Sequence, residues 1–235
     1  MRDPWARGTF SIVACDPARD FWGVAVSTWP PSVGAIVPWA EWRTGAVATQ
    51  ADSNYRFGPE GLALLRRGLD AETVVRRLTR ADPGRDRRQL AVVDRRGGVS
   101  AWTGKRCIAH AMHVVGSGYS CQGNMLRAAS VVPAMARAYE RSRGTLAARM
   151  VRALEAGARE GGDRRGMQSA ALLVAHRERW MKPIWPDHWV NVRVDRSRRP
   201  ISDLDALVRA DARDTKRILA EVAREARTRR RARAR

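Results

Sequence analysis

The spacing of apolar positions switches back and forth between the two-residue repeat of a strand and the three-to-four-residue repeat of a helix. Residues 9–14, TFSIVA, and 22–27, WGVAVS, are β-rich runs separated by Asp16-Pro17 and Arg19-Asp20, which read as a turn, so the two form a hairpin. VGAIVPWA (33–40) and GAVATQ (45–50) read as two further strands. Their small residues, Gly34, Ala35, Gly45, Ala46 and Ala48, suit a sheet that another layer approaches closely.

Helical spacing follows. Pro59 sits in a first turn with Leu62 and Leu65 on one face, and Asp70 caps a second helix carrying Val74, Val75 and Leu78. Asp82-Pro83-Gly84 ends that helix. QLAVVD (89–94), Gly97-Gly98 and VSAWTG (99–104) make a second hairpin, and HVVGSGYSCQG (113–123) reads as strand with a glycine break. Two helices are predicted near 126–142 and 145–160, the second stopped by Gly161-Gly162. QSAALLVA (168–175) reads as a buried strand and WVNVRV (189–194) as an alternating one. Ser202 is placed as the cap of a final helix that extends to about 223 through Ile218, Leu219 and Val222. Beyond it only Arg, Ala, Glu and Thr remain, too little apolar surface to order a tail. Strands, helices, strands and a helix, joined by hairpins rather than βαβ crossovers, argue for layered and mainly antiparallel sheets.

A length of 235 residues allows one large domain that needs no disulfide or metal to fold. The reading divides it into an N-terminal extension or propeptide (1–8), a main domain (9–210) and a basic segment (211–235), helical and then disordered. No apolar run approaches the roughly 20 residues of a membrane span, and the first residues lack a signal-peptide pattern. Three sparse cysteines, Cys15, Cys107 and Cys121, argue against a disulfide framework and fit a reducing compartment, so a cytoplasmic location is expected.

The net charge of +20 raises the question of nucleic acid. Only three of the 44 basic residues are lysines, a skew that genome composition also produces, and the charge is spread along the chain. Salt-sensitive adhesion to polyanions is expected rather than a specific nucleic-acid or membrane function. The nine tryptophans lack the spacing of a base-stacking platform and are assigned to core packing.

Nine segments then carry a resemblance: TFSIVA, GVAVST, SVGAIVPWA, GAVATQA, FGPEGLALLRRG, QLAVVD, WTGKRC, QGNML and GGDRRGMQSAALLV, in that order over about residues 9–210. Together they resemble the prokaryotic family of domain of unknown function 1028, placed among the N-terminal-nucleophile (Ntn) hydrolases. The resemblance implies an α/β fold of the α+β type, a four-layer αββα sandwich. It also implies a mechanism in which the first residue of the mature chain attacks an amide carbonyl with its Oγ while its own α-amine takes the proton. Thr9 is the matching residue.

Members commonly begin with methionine directly before this threonine, whereas here MRDPWARG precedes it. An intact Gly8–Thr9 bond leaves an amide nitrogen that cannot act as base, so cleavage is required. Gly-Thr is a junction that self-processing enzymes of this kind cut.

Asn124, within Gln122-Gly123-Asn124, is the candidate oxyanion donor, through its side-chain amide and backbone N–H groups freed by Gly123. The same tripeptide also reads as a turn, with Asn124 capping a helix. Asp163 and Ser169 are candidates to orient the Thr9 amine, and Arg164 and Arg165 to bind an anionic substrate group. Ser27, Gln50 and Asn54, at strand ends, are further candidate substrate contacts. His110 and His113 near Cys107 and Cys121 would point to opposite faces of a regular strand, so no metal is expected, and no glycine-rich nucleotide motif calls for a cofactor. The reading is an amidohydrolase acting on a small-molecule or peptide amide, expected as a homo-oligomer. The alternative is a non-catalytic binding or scaffolding domain of the same fold.

Overall fold

A computed structural model describes residues 8–178, 181 and 186–233. The expected extension therefore lies outside the described residues except for Gly8. The described strands form two antiparallel sheets. The first has six strands: β1 (Thr9–Asp16), β2 (Phe21–Thr28), β7 (Met112–Gly116), β8 (Tyr119–Asn124), β9 (Ser169–Ala175) and β10 (His188–Val194), in the order β10-β9-β2-β1-β8-β7. The second has the order β3 (Pro38–Glu41), β4 (Gly45–Ala51), β5 (Arg88–Asp94), β6 (Val99–Thr103).

Among the described residues five α-helices accompany them: α1 (Phe57–Arg66), α2 (Ala71–Ala81), α3 (Val131–Arg141), α4 (Leu146–Arg159) and α5 (Pro200–Arg233). Phe10 and Ile12 on one face of β1 pack with Met135 of α3, Met150 and Leu154 of α4 and Leu204 of α5. Val13 on its other face packs with Val24, Val26, Ala46, Ala48 and Val93, which joins the two sheets. Val47 and Leu90 on the far face of the second sheet pack with Leu62, Leu65, Val74 and Leu78 of α1 and α2. Each of the Val, Leu, Ile, Met and Phe side chains among them contributes about 1.5–3 kcal/mol on burial. Because β1 is buried on both faces, its sequence alternates weakly, as expected of a strand covered on both sides.

Close packing of α4 on the sheet needs a small residue. A Cβ at Gly157 would stand 2.8 Å from Met135 Cγ and 3.2 Å from a Phe10 ring carbon. The caps match their local chemistry: Asp70 accepts from Thr73 N–H and Thr145 from Ala148 N–H.

Several elements differ from the sequence reading. Residues 33–40 are not one strand. Ser32 is left-handed at φ 60°, Val33–Ala35 make a 3-10 turn, and β3 begins at Pro38, which has no N–H to donate and sits on an edge strand. The 113–123 segment is two strands, turned at Gly118 with φ 71°. The first of the predicted helix pair begins at Val131 rather than near 126, because Leu126 bridges Asp163 and Arg127 N–H donates to Gly162. Asn124 therefore ends a strand and caps no helix. The last helix begins at Pro200, where a missing N–H costs nothing. Ser197, not Ser202, accepts the Arg199 N–H ahead of it. Helical backbone continues past residue 223 to Arg233, beyond the end of the apolar pattern.

Candidate active site

Thr9 is the first residue of β1, and hairpin counting fixes its neighbours. With Asp16 opposite Phe21, Thr9 falls opposite Thr28. On its other side it lies opposite Asn124, while Thr28 lies opposite Ser169. Asn124, Thr9, Thr28 and Ser169 therefore form one row across four strands. Opposed residues in antiparallel strands share a face. Here it is the face toward the second sheet, since Ser11, two residues along, bonds to Gln50 of β4. All four are buried.

The bond ahead of Thr9 is held on several sides. The Gly8 carbonyl oxygen accepts from Thr28 Oγ1 and from Arg165 Nη2 at 3.0 Å. Thr9 Oγ1 lies 3.1 Å from Thr28 Oγ1. A hydroxyl has one proton, and Thr28 gives its proton to Gly8, so Thr9 donates to Thr28. The result is a relay from Thr9 through Thr28 to the carbonyl oxygen of the Gly8–Thr9 peptide.

Asp163 fixes Arg165. Its Oδ1 accepts from Arg165 Nε at 3.1 Å and from Arg165 N–H, and its Oδ2 accepts from Arg165 Nη2 at 2.8 Å and from Trp29 N–H. A planar guanidinium suits such a two-point grip. Gly8 rests against this pair: a Cβ there would stand 2.7 Å from Asp163 Oδ1 and 2.9 Å from Met125 Cβ, so glycine is the residue that fits.

Beneath Thr9 a buried network of side-chain amides and hydroxyls joins the two sheets. Gln122 Nε2 donates to Ser11 Oγ, which donates to Gln50 Oε1. Gln50 Nε2 and Asn124 Nδ2 both donate to Gln89 Oε1 at 2.7 and 3.0 Å. Gln89 Nε2 reaches Thr103 Oγ1 and the carbonyls of Met112 and Gly123. Leaving one buried partner unsatisfied costs about 1–3 kcal/mol, so the network favours one register of sheet on sheet.

The sequence candidates divide accordingly. Thr9, Asn124 and Asp163 come together around Gly8–Thr9, with Arg165 on the carbonyl. Gln50 and Gln122 lie one step deeper, in the network. Gln122-Gly123-Asn124 does not supply the donors on the Gly8 oxygen, because Asn124 gives an amide proton to Gln89 and Gly123 contributes a carbonyl. Ser169 stands two strand spacings from Thr9, about 10 Å, and its hydroxyl donates to Pro30 O. It fastens a loop and does not reach the Thr9 nitrogen. Ser27 is on the opposite face from Thr28 and donates to the Ser169 carbonyl. Asn54 accepts from Arg56 N–H ahead of α1, away from the row.

Thr28 and Gln89 are the residues that reading the sequence missed. Counting back from the Asp16–Phe21 turn finds Thr28. Nothing local marks Gln89.

Two clefts meet at Arg165. One, of about 610 Å3, includes Leu126, Arg127 and Arg164. The other, of about 520 Å3, includes Trp29, Gln168, Arg196 and Arg198. The Arg165 guanidinium also lies 5.2 Å from the Trp29 ring centroid.

The cysteines offer no rival nucleophile at neutral pH. Burial pushes the Cys107 thiol up to about 11 and the Cys121 thiol well above its usual value, and the thiolate is the reactive form. His113 pairs with Thr103 Oγ1, and burial lowers its pKa. Among the described residues no group of three or more His, Cys, Asp or Glu is placed to hold a metal ion, and no helix is long and apolar enough to cross a membrane.

A family model described as Family of unknown function (DUF1028) matches residues 9–204. Among solved structures, the crystal structure of protein SPO2555 from Silicibacter pomeroyi, which carries the same family model, is similar at a TM-score of 0.76 and 34% identity. That likeness covers 86% of this chain and 85% of the other. No curated protein matches.

Proposed function

Because the chain belongs to the family of unknown function (DUF1028), a membership that assigns no reaction, we propose its function from the site: a self-processing Ntn-type amidohydrolase with Thr9 as nucleophile. On this reading the layers form the four-layer αββα sandwich of that superfamily, with Thr9 at the end of a middle strand and facing the space between the sheets. The observation that carries the proposal is the Gly8 carbonyl oxygen, gripped by Thr28 and Arg165 beside the Thr9 hydroxyl.

Processing then runs as an N-to-O acyl shift. Thr9 Oγ forms a bond to the Gly8 carbonyl carbon, and its proton passes through Thr28 to the Gly8 oxygen. Arg165 stabilises the negative charge that builds on this oxygen before the proton arrives. Collapse breaks the carbon–nitrogen bond, returns that proton to the Thr9 nitrogen and leaves an ester on Thr9. Water hydrolyses the ester to a Gly8 carboxylate and a free Thr9 hydroxyl and amine. The free amine, with an ordinary pKa of about 7.7–8.0, is poised to act as a base. Thr28 and Arg165, vacated by Gly8, then receive the oxygen of an external amide. Asp163 positions Arg165, and Arg164 in the adjoining cleft provides charge for an anionic substrate group.

Intact-mass measurement tests this. The purified chain is expected to lose residues 1–8, and Thr9→Ala to retain them. A chain that keeps residues 1–8 and still hydrolyses amides overturns the mechanism. One that keeps them and hydrolyses nothing belongs with binding domains.

A further inference from the structure

A second cavity lies far from Thr9. Thr9 and Asp16 are opposite ends of β1, about 23 Å apart at the usual strand rise, and the groove opens at the Asp16 end, on the helix side of the first sheet. It encloses about 910 Å3 between α4, α5 and the ends of β2, β9 and β10. That is the upper part of the roughly 300–1,000 Å3 range of small-molecule sites. Its apolar wall comes from Phe21, Leu146, Val174, Trp189, Val190 and Leu219.

Set in this wall is Arg149. Its Nε is buried without a hydrogen-bond partner, and among the described residues no acid pairs with its guanidinium, which lies 4.1 Å from the Tyr139 ring centroid. A polar N–H shielded from water without an acceptor is unfavourable, and here it belongs to a half-buried cation. The other charges facing the groove leave it so. Asp16 is bridged by Arg19, Glu140 accepts the Tyr119 hydroxyl, and burial disfavours the charged form of Asp211. Arg143 and Lys216 add positive charge, and the first turn of α4, which also lines the groove, favours the same sign of ligand.

We propose that this groove binds a small amphiphile, an apolar body along the wall with a carboxylate head paired to Arg149. The occupant is a single small molecule rather than a peptide or a bilayer, because one half-buried charge complements one head group and the groove holds about 910 Å3. The site is independent of Thr9 and its chemistry.

Isothermal titration of the full chain with dodecanoate, kept below its micelle concentration, tests it. One molecule is expected to bind per chain, at least about tenfold more tightly than dodecyltrimethylammonium, since about 1.4 kcal/mol of charge preference is tenfold in affinity. Arg149→Met is expected to remove that preference while circular dichroism shows the fold retained. Leu219→Glu, on the partly exposed side of α5, is expected to remove dodecanoate binding, and it decides the matter if Arg149→Met fails to fold. Absence of binding overturns the proposal. So does binding that neither variant changes, which would be adhesion of an anion to a basic surface.

Discussion

Replacing Thr28 by valine keeps the β-branched shape and removes one hydroxyl from the relay. Two losses follow. The Gly8 oxygen loses one of its two donors, and the Thr9 hydroxyl loses the acceptor 3.1 Å away. Removing a donor from an oxyanion site slows acyl chemistry about 10²–10³-fold. The buried Thr9 hydroxyl left without a partner costs about 1–3 kcal/mol of stability. That is less than the roughly 5–15 kcal/mol of an ordinary domain, so the variant is expected to fold. The assay is a time course of intact mass on refolding chain recovered unfolded from inclusion bodies and kept in denaturant, so that it has never folded and starts uncleaved. Thr28→Val is expected to lose residues 1–8 about 10²–10³-fold more slowly than the parent chain, with Thr28→Ser restoring most of the rate. A valine variant that cleaves within about threefold of the parent rate would show that Thr28 neither stabilises the oxyanion nor carries the proton, and the relay would be wrong.

Arg165→Met is expected to lower stability by about 3–5 kcal/mol in urea unfolding, because it strands the Asp163 carboxylate, whose side chain is fully buried. A loss below about 1 kcal/mol would mean that the pair is not what holds this loop. Cys15 is raised from 9.0 to about 12, chiefly by burial, so folding favours its protonated form. Its contribution is complete below pH 9.0 and declines as the pH rises toward about 12, so thiol reagents at neutral pH should modify Cys15 only on unfolding. Fast labelling of folded protein would contradict that burial. Deleting residues 224–235 removes seven arginines and no apolar side chain larger than alanine. It is expected to shift the melting temperature by less than about 2 °C and to weaken retention on heparin. A larger thermal loss would show that the segment packs.

The sequence was legible where a local signal fixes a local structure. Asp16-Pro17 through Asp20 announced the first hairpin, and Asp70 announced a helix start because its carboxylate reaches a nearby N–H. It was harder to read where the partner is distant. Leu126 and Arg127 have helical neighbours but bond across to Gly162 and Asp163, which only tertiary packing decides. At the site, neighbouring residues separated sharply. Thr28 faces Thr9 and Ser27 faces away, because strand side chains alternate, and hairpin counting would have made that choice. Arg165 grips the Gly8 carbonyl while Arg164 reaches toward Ala109, a distinction that composition does not contain. The Gln50–Gln89–Asn124 cluster depends on how two sheets meet, so nothing within one strand predicts it.

The place of Thr9 in the sheet also governs when its backbone opens. The described ladder begins at Thr9 and runs on both sides of β1, so the strand is held by β2 and β8 along its length. Amide protons in such a strand exchange with solvent only when the whole domain unfolds, while frayed ends exchange early. A cut between Gly8 and Thr9 severs none of these described pairs. Deuterium uptake along β1 should therefore be the slowest in the molecule and the same before and after the cut. The new chain end would be a terminus without fraying, so a freed amine there would keep its place through the breathing motions that loosen the loops around it.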